Sequence, residues 1–341
     1  MSFLRSAGDL IGFLILTVVC IFETIIKMFI PTKYKMKSIA GEIALVTGGG
    51  GGLGRLIALR LANLGAIVVI WDVNKAGLEE TVKLVQTAGG TCYGYACDLC
   101  DREDVYKKAK IVEKEVGNVT ILINNAGVVS NTKFLDTPDK LIIRTMDVNV
   151  MSHFWTTKAF LPAMKESNHG HIVSIASLAG HIGVPMLVDY CTSKFAAIGF
   201  EEALHMELAA EGYNIKTTVI CPFFIRSTGM FGDVSPRFVP KLSPNEVADR
   251  IITAIRCNDK IAVVPGYLYI LLVLKWAFPW ACAGMFIRGL MSNSTSCNNS
   301  PKQVEKPKAD EIIPTKISKD FDTSVIHQEL TRRISSSERK P

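Results

Sequence analysis

Six of the seven positions from Gly48 to Gly54 are glycine, interrupted only by Leu53. Glycine is placed so densely where the chain needs positive φ angles and a close backbone approach. The apolar run Ile43 to Thr47 precedes this stretch, and a run of helical period from Leu56 to Leu64 follows it. The start of that helix offers unpaired N–H groups and the positive end of a dipole to a pyrophosphate. Asp72 closes the next apolar run, 24 residues beyond Gly48. A carboxylate there can accept hydrogen bonds from an adenosine ribose 2′-OH and would repel a 2′-phosphate. The pattern points to a dinucleotide, and to NAD over NADP, with Arg55 and Lys75 as the nearby cations that could support NADP. A flexible linker would not be bracketed by two buried strands.

From Ile39 to about Pro265, short Val- and Ile-rich runs alternate with longer segments of helical period, the pattern of repeated βαβ units. The runs predicted as strands are Ile43–Thr47, Ile67–Trp71, Cys92–Ala96, Val119–Asn124, His171–Ser174, Lys216–Cys221 and Ile261–Val264. Several are apolar almost throughout, which implies burial on both faces and hence a parallel sheet covered by helices. The expected fold is α/β: a doubly wound parallel sheet of Rossmann type forming a single domain over residues 39–265. Ligands of such sheets lie at the carboxyl ends of the strands.

The flanks of this domain have a different character. Residues 1–38 read as a membrane anchor with a basic flank. Leu10 to Ile30 spans 21 residues, about 31 Å as a helix, enough to cross a bilayer core. Glu23 and Lys27 are four apart and can pair on one face, so an in-plane helix stays open beside a spanning one. Lys33, Lys35 and Lys37 follow directly, whereas Arg5 is offset by Asp9, which places the remainder of the chain in the cytosol. The sequons at Asn118, Asn293 and Asn298 would then go unused. The expected location is the endoplasmic reticulum membrane, the lipid droplet or both, with membrane lipid as a partner. Residues 266–291 are apolar but broken by Lys275, Pro279 and Arg288, and read as a membrane-associated or substrate-entry segment. Residues 292–341 turn to Ser, Asn, Lys, Pro and Glu and are expected to be disordered. A net charge of +6 dispersed over both signs does not suggest a nucleic-acid partner. The nine cysteines lack the spacing of a disulfide scaffold and read as reduced thiols. Cys97 and Cys100 have no second pair at metal spacing, so no metal is expected. No nucleophile motif accompanies His153 or His205, which leaves a hydrolase triad without support.

The most informative pair for chemistry is Tyr190 and Lys194, four apart at the start of a helical segment. They share a face, so the ammonium can act on the phenol and favour the phenolate that a general base near neutral pH needs. With Thr47-Gly-x-x-x-Gly-x-Gly54, Asn124-Asn125-Ala126-Gly127, Asn149 and Ser177, this Tyr-x-x-x-Lys makes the chain resemble the short-chain dehydrogenases/reductases over residues 39 to 265. The resemblance implies a catalytic tetrad of Asn149, Ser177, Tyr190 and Lys194. In it Tyr190 is the acid/base, Ser177 hydrogen-bonds the substrate oxygen, Lys194 lowers the tyrosine pKa and binds the nicotinamide ribose, and Asn149 holds a water. It also implies cofactor contacts at Thr47, Gly48, Gly52, Leu53, Gly54, Asp72, Asp98, Asn125, Ala126, Gly127, Tyr190, Lys194 and Pro222.

One segment departs from the family pattern. After the sixth strand the chain reads Cys221-Pro222-Phe223-Phe224-Ile225-Arg226-Ser227-Thr228. Phe223 replaces a glycine and the threonine comes one place late, so Ser227 or Thr228 would meet the carboxamide. Phe223 and Phe224, with Ser177, are the expected substrate contacts. This segment, the anchor and Phe154 to Pro162 make the chain similar to the membrane-bound 16C group of the family. That likeness implies NAD-dependent oxidation of a lipophilic alcohol, with retinol as the first candidate. A hydroxysteroid or a fatty alcohol is the alternative within the class, and a non-catalytic scaffold at the lipid droplet is the alternative outside it. The family also implies a homodimer.

Overall fold

The computed structural model describes residues 2–226, 239–282 and 284–285. Seven strands form one sheet: β1 (Ile43–Thr47), β2 (Ile67–Asp72), β3 (Cys92–Ala96), β4 (Ile121–Asn124), β5 (Gly170–Ile175), β6 (Ile215–Pro222) and β7 (Ile261–Val264). Their order is β3-β2-β1-β4-β5-β6-β7, and every pair is parallel. The fold is thus a Rossmann-type α/β fold built on a single parallel sheet. β1 pairs with both β2 and β4, so the chain reverses its direction of winding there, and the crevice above this switch point is where ligands of such sheets bind.

Alternate residues of each strand feed two separate cores. Ala44, Val46, Val68 and Ile70 pack with Ile57, Leu61, Leu78, Ile251 and Ile255, which brings α3 (Gly52–Asn63), α4 (Lys75–Thr87) and α9 (Pro244–Cys257) onto one face. Leu45, Val69, Leu122 and Ile172 pack with Val105, Val112, Phe160, Met164 and Leu208, which brings α5 (Arg102–Glu115), α7 (Ser152–Glu166) and α8 (Val188–Ala210) onto the other. α4 and α5 start at side-chain caps. Asn74 accepts from the Gly77 amide, and Asp101 accepts from those of Glu103 and Asp104. Satisfying these otherwise unpaired first-turn donors fixes where each helix leaves its loop.

Most strands fall where the apolar runs placed them. β4 starts two residues late, at Ile121; Thr120 just before it bonds Ile43 through both its amide and its hydroxyl. α6 (Asp139–Met146) runs into a wide π turn at Asp147–Met151 before α7 begins, a local widening that sequence period does not reveal.

The N-terminal segment forms one helix, α1 (Ser2–Phe29), starting eight residues ahead of the expected Leu10 boundary. Its side chains from Leu10 to Phe22 are mostly exposed and apolar. Among the described residues no helix is long and apolar enough to cross a membrane, and the expected Glu23–Lys27 pair lies outside the described side chains. A four-residue helix, α2 (Thr32–Lys35), follows. The basic flank is tied to α9 by Lys37 and Arg256, whose backbone and side-chain N–H groups each reach the other's carbonyl at 2.8 and 3.0 Å. Within 266–291, α10 (Leu268–Ala277) buries Leu268 and Leu272 and exposes Tyr269, Ile270, Val273 and Leu274. The tail expected to be disordered, 292–341, lies outside the described residues.

Candidate active site

The carboxyl ends of the strands open into one cavity of about 860 Å³. At one end lies the glycine loop. Gly48 and Gly52 have φ of +66° and +49°, values that exclude most side chains. A Cβ on Gly54 would come within 2.1 Å of the Gly48 carbonyl oxygen, and one on Gly77 within 2.4 Å of the Gly50 carbonyl oxygen. The first turns of α3 and α4 therefore close tightly on the loop. Gly77 was not singled out by sequence, since its need arises from an approach of two distant segments.

Asp72 at the end of β2 accepts from the Gly50 amide through Oδ2 and from the Asn74 amide through Oδ1, both at 2.9 Å. Each oxygen retains acceptor capacity towards the cavity that Asp72 lines. Arg55 is committed elsewhere: it donates to Glu80, to the Thr81 hydroxyl and to the Gly50 carbonyl. A bare backbone cradle at a helix start, with a carboxylate one strand away, fits the pyrophosphate and adenosine ribose of a dinucleotide. Asp98 lines the same end, its Oδ1 accepting from the Cys100 amide at 3.0 Å. Arg144 on α6 also lines the cavity and was missed by sequence, for lack of any motif around it.

Thr47 and Asn125 support the loop from below. The Thr47 hydroxyl accepts from the Asn125 and Ala126 amides at 3.0 and 3.1 Å. The Asn125 side-chain amide donates to the Thr47 and Gly48 carbonyls at 2.9 and 3.3 Å. Thr47 is buried and does not line the cavity, whereas Gly48, Gly52, Leu53, Gly54, Asn125, Ala126 and Gly127 do.

Ser177, Tyr190 and Lys194 line the middle of the cavity. Lys194 Nζ donates to the Ile175 carbonyl at 2.9 Å and lies 5.6 Å from the centre of the Tyr190 ring. Burial lowers the Lys194 pKa to about 8. Burial also pushes the Tyr190 phenol up to about 12, against a hydrogen bond from Ser177 that favours the phenolate. Desolvation dominates, so the net shift of the phenol is upward. Asn149 is fully buried beneath the cavity rather than in its wall. Its amide donates to the Val128 carbonyl at 2.9 Å and the Ser193 hydroxyl at 3.0 Å, and its Oδ1 accepts from the Val128 amide at 2.8 Å. These bonds pin the π turn to α8 and to the segment after β4.

Asp189, next to Tyr190, was also missed by sequence. Its two oxygens accept from the Ser130 and Thr145 hydroxyls at 2.7 and 2.8 Å, which holds the first turn of α8. The far end of the cavity is apolar: Leu178, Ile182, Val184, Leu187, Phe223 and Phe224 contribute to it, after Pro222. The two phenylalanine rings meet edge to face at 5.0 Å. Ser227 and Thr228 lie outside the described residues.

Comparison with known proteins agrees with this geometry. Residues 42–237 match the family described as short chain dehydrogenase. The chain is 46% identical to estradiol 17-beta-dehydrogenase 11 of Homo sapiens over 272 residues, covering 80% of this chain and 90% of that one. It is 47% identical to epidermal retinol dehydrogenase 2 of Homo sapiens over 285 residues, covering 82% and 91%. It is 49% identical to short-chain dehydrogenase/reductase family 16C member 6 of Bos taurus over 258 residues, covering 74% and 81%. Among solved structures, a short-chain dehydrogenase/reductase from Burkholderia phymatum in complex with NAD is 26% identical with a TM-score of 0.64, covering 71% of this chain and 95% of that one. A metagenomic short-chain oxidoreductase in complex with NADP is likewise 26% identical, with a TM-score of 0.57, covering 67% and 98%. The chain belongs to the short-chain dehydrogenase family and is an oxidoreductase.

Proposed function

From that membership we propose that the protein oxidises a lipophilic alcohol with NAD, retinol being the first candidate substrate. The observation that carries this reading is the single cavity in which Ser177, Tyr190 and Lys194 stand between a glycine and carboxylate end and an apolar end. NAD is favoured over NADP because Asp72 presents a carboxylate at the ribose position while Arg55 is held by Glu80. A hydroxysteroid is the second reading, favoured by the relatives named estradiol 17-beta-dehydrogenase 11. Either ligand is large and apolar with one hydroxyl, which suits the lining from Leu178 to Phe224.

The proposed mechanism uses the groups in the middle of the cavity. Ser177 accepts a hydrogen bond from, or donates one to, the substrate oxygen and aligns it with the Tyr190 phenol. Tyr190 takes the hydroxyl proton as the alcohol carbon is oxidised. When bound, the dinucleotide supplies the acceptor for hydride and a positive charge near the phenol. Lys194 lies beside Tyr190 and assists its deprotonation electrostatically, against the desolvation that raises it. Asn149 is a strut in this reading: it keeps the Val128 segment and the Ser193 hydroxyl in register beneath the lysine. Phe223 and Phe224 exclude water from the alcohol.

The same reading makes the protein a lipid-surface enzyme of the endoplasmic reticulum or the lipid droplet, with the catalytic domain in the cytosol, working as a homodimer. The exposed apolar side chains of α1 and of α10 support lipid contact. Alkaline carbonate extraction tests this, since release of the full-length chain from membranes would refute it. For the reaction, membranes containing the protein are assayed for NADH formation with all-trans-retinol, a hydroxysteroid and a long-chain alcohol, beside Tyr190→Phe. Turnover with retinol that vanishes in the variant is expected. Turnover with another alcohol alone would replace the substrate, and none with NAD or NADP would refute the reading.

A further inference from the structure

Ser177 stands at the start of a tight turn, Leu178–Gly180, and His181 closes it. The turn is held by its own backbone: the Gly180 amide donates to the Ser177 carbonyl and the His181 amide to the Leu178 carbonyl, both at 2.9 Å. It is also pressed against α8. A Cβ on Gly180 would come within 2.5 Å of Ile198 Cδ1 and 2.7 Å of the Lys194 carbonyl oxygen, an approach that only a residue without a Cβ allows.

Two side chains tie this turn to the end of β6, and they meet adjacent residues there. At the near end the Ser177 hydroxyl donates to the Pro222 carbonyl at 3.4 Å while accepting from the Ala179 amide at 3.1 Å. At the far end His181 Nε2 lies 3.5 Å from Cys221 Sγ. Cys221 is fully buried, and burial pushes its thiol up to about 12, against the Lys194 charge and a hydrogen bond from the Ser177 amide. Burial also lowers the His181 pKa, with the Lys275 charge acting in the same direction. The contact is therefore one between a thiol and a neutral imidazole, and one sulfur touches both ends of the turn.

The Pro222 bond and the bond to substrate compete for one proton. In the proposed mechanism Ser177 bonds the substrate oxygen, and when it donates its single proton there the Pro222 carbonyl loses its partner. The side-chain bonds that then hold the turn to β6, among the described residues, run through Cys221: the His181 ring at one end and the Ser177 amide at the other. We propose that His181 and Cys221 are positioning residues for the oxidation, a staple that keeps the Ser177 turn seated on β6 while the serine hydroxyl changes partner. This rests on the alcohol-oxidation reading, in which Ser177 meets the substrate oxygen. Neither residue lines the cavity, so both act through Ser177. The role of the ring is separate from that of the His181 carbonyl, which accepts from Lys275 of α10 and is kept in every His181 variant.

The test uses the full-length protein in membranes. His181→Ala is expected to lower kcat about tenfold or more. The affinity for NADH, read from its fluorescence on binding, is expected to stay unchanged, because the glycine loop and Asp72 lie at the other end of the cavity. His181→Gln, whose amide reaches the place of Nε2, is expected to recover most of kcat. Cys221→Val keeps apolar volume in β6 without a hydrogen-bonding atom; it is expected to match His181→Ala, and serves if that variant does not fold. A general loosening of the domain would instead weaken NADH binding and would not be rescued by glutamine, and that result would overturn the staple. Hydrogen–deuterium exchange supplies a readout without turnover: the amides of 178–182 are expected to exchange faster in His181→Ala and Cys221→Val than in the wild type, with the rest of the sheet unchanged. Unchanged exchange there would also overturn the staple. Turnover lost in Tyr190→Phe beside wild-type kcat in His181→Ala and Cys221→Val would overturn it and leave the alcohol-oxidation reading standing. If the wild type turns over no alcohol, that reading fails, and the exchange over 178–182 alone decides whether the pair holds the turn.

Discussion

The Gly50 amide donates to the Asp72 carboxylate at 2.9 Å, so the residue proposed to face the ribose also holds the loop proposed to face the pyrophosphate. Cofactor choice and loop shape are therefore coupled through one side chain. Asp72→Ser removes the charge that repels a 2′-phosphate but shortens the reach to Gly50. The expected result is a fall in kcat/KM with NAD of about tenfold or more and a rise in the NADP-to-NAD ratio, with a stability loss of about 1 kcal/mol. Steady-state kinetics with both dinucleotides and a thermal melt check this. An unchanged ratio would mean that selectivity resides elsewhere.

Asp189 and Tyr190 are adjacent, and the first holds the second in place through Ser130 and Thr145. Asp189→Ala leaves two hydroxyls without their acceptor in a mostly buried site. A stability loss on the order of 1 to 3 kcal/mol is expected, with a lower kcat because the start of α8 is released. Asp189→Asn, which keeps the acceptor oxygen for one hydroxyl, is expected to fall between wild type and Asp189→Ala. Denaturant unfolding and kcat for both variants decide the matter.

How much of this was legible in the sequence depends on distance along the chain. Tyr190 and Lys194 share a helix face, and Gly48 to Gly54 lies between its strand and helix, so local spacing was enough to pair them. Gly77 is required only because α4 closes on the Gly50 carbonyl, and Asp189 matters only because Ser130 and Thr145 come to it from other segments. Those are tertiary meetings that no period encodes. Asn149 was expected to hold a water by resemblance. The π turn brings its side chain onto Val128 and Ser193, and a turn of that kind leaves no mark in apolar spacing. The strands inside the sheet were legible because burial on both faces of a parallel sheet demands nearly continuous apolar runs, whereas β3, at the edge, leaves Tyr93 and Gly94 exposed.

Two buried ionisable groups give opposite pH dependences of stability. Burial raises Glu201 from 4.5 to about 8, so between those values the folded state binds more protons than the unfolded state. Its contribution is present at low pH and is lost as pH rises to about 8. Burial lowers Lys194 from 10.5 to about 8, so in that higher window the unfolded state binds more protons and stability rises with pH. Glu201→Gln is expected to remove the decline on the acid side, with a gain on the order of 2 kcal/mol at pH 8 relative to wild type. Lys194→Met is expected to flatten the alkaline rise. Unfolding free energies measured across the two windows, on wild type and each variant, would expose either sign as wrong.

Lys275 joins the apolar helix α10 to the substrate end of the cavity. Its Nζ donates to the His181 carbonyl at 2.5 Å and stands 5.5 Å from the Phe195 ring. His181 directly precedes Ile182, and Ile182 and Val184 line the cavity. Burial lowers the Lys275 pKa, but the His181 carbonyl, the negative end of a peptide dipole, suits an ammonium there. Lys275→Met keeps the length and apolar stem while removing the donor. If the latch positions the apolar wall, KM for a long lipophilic alcohol rises about three- to tenfold, a loss of roughly 1 kcal/mol of uniform binding, with kcat nearly unchanged. A short, water-soluble alcohol that does not reach Ile182 would show no such rise. The comparison of the two alcohols separates a shaped substrate wall from a general loosening of the domain, because a loosened domain would lower kcat for both.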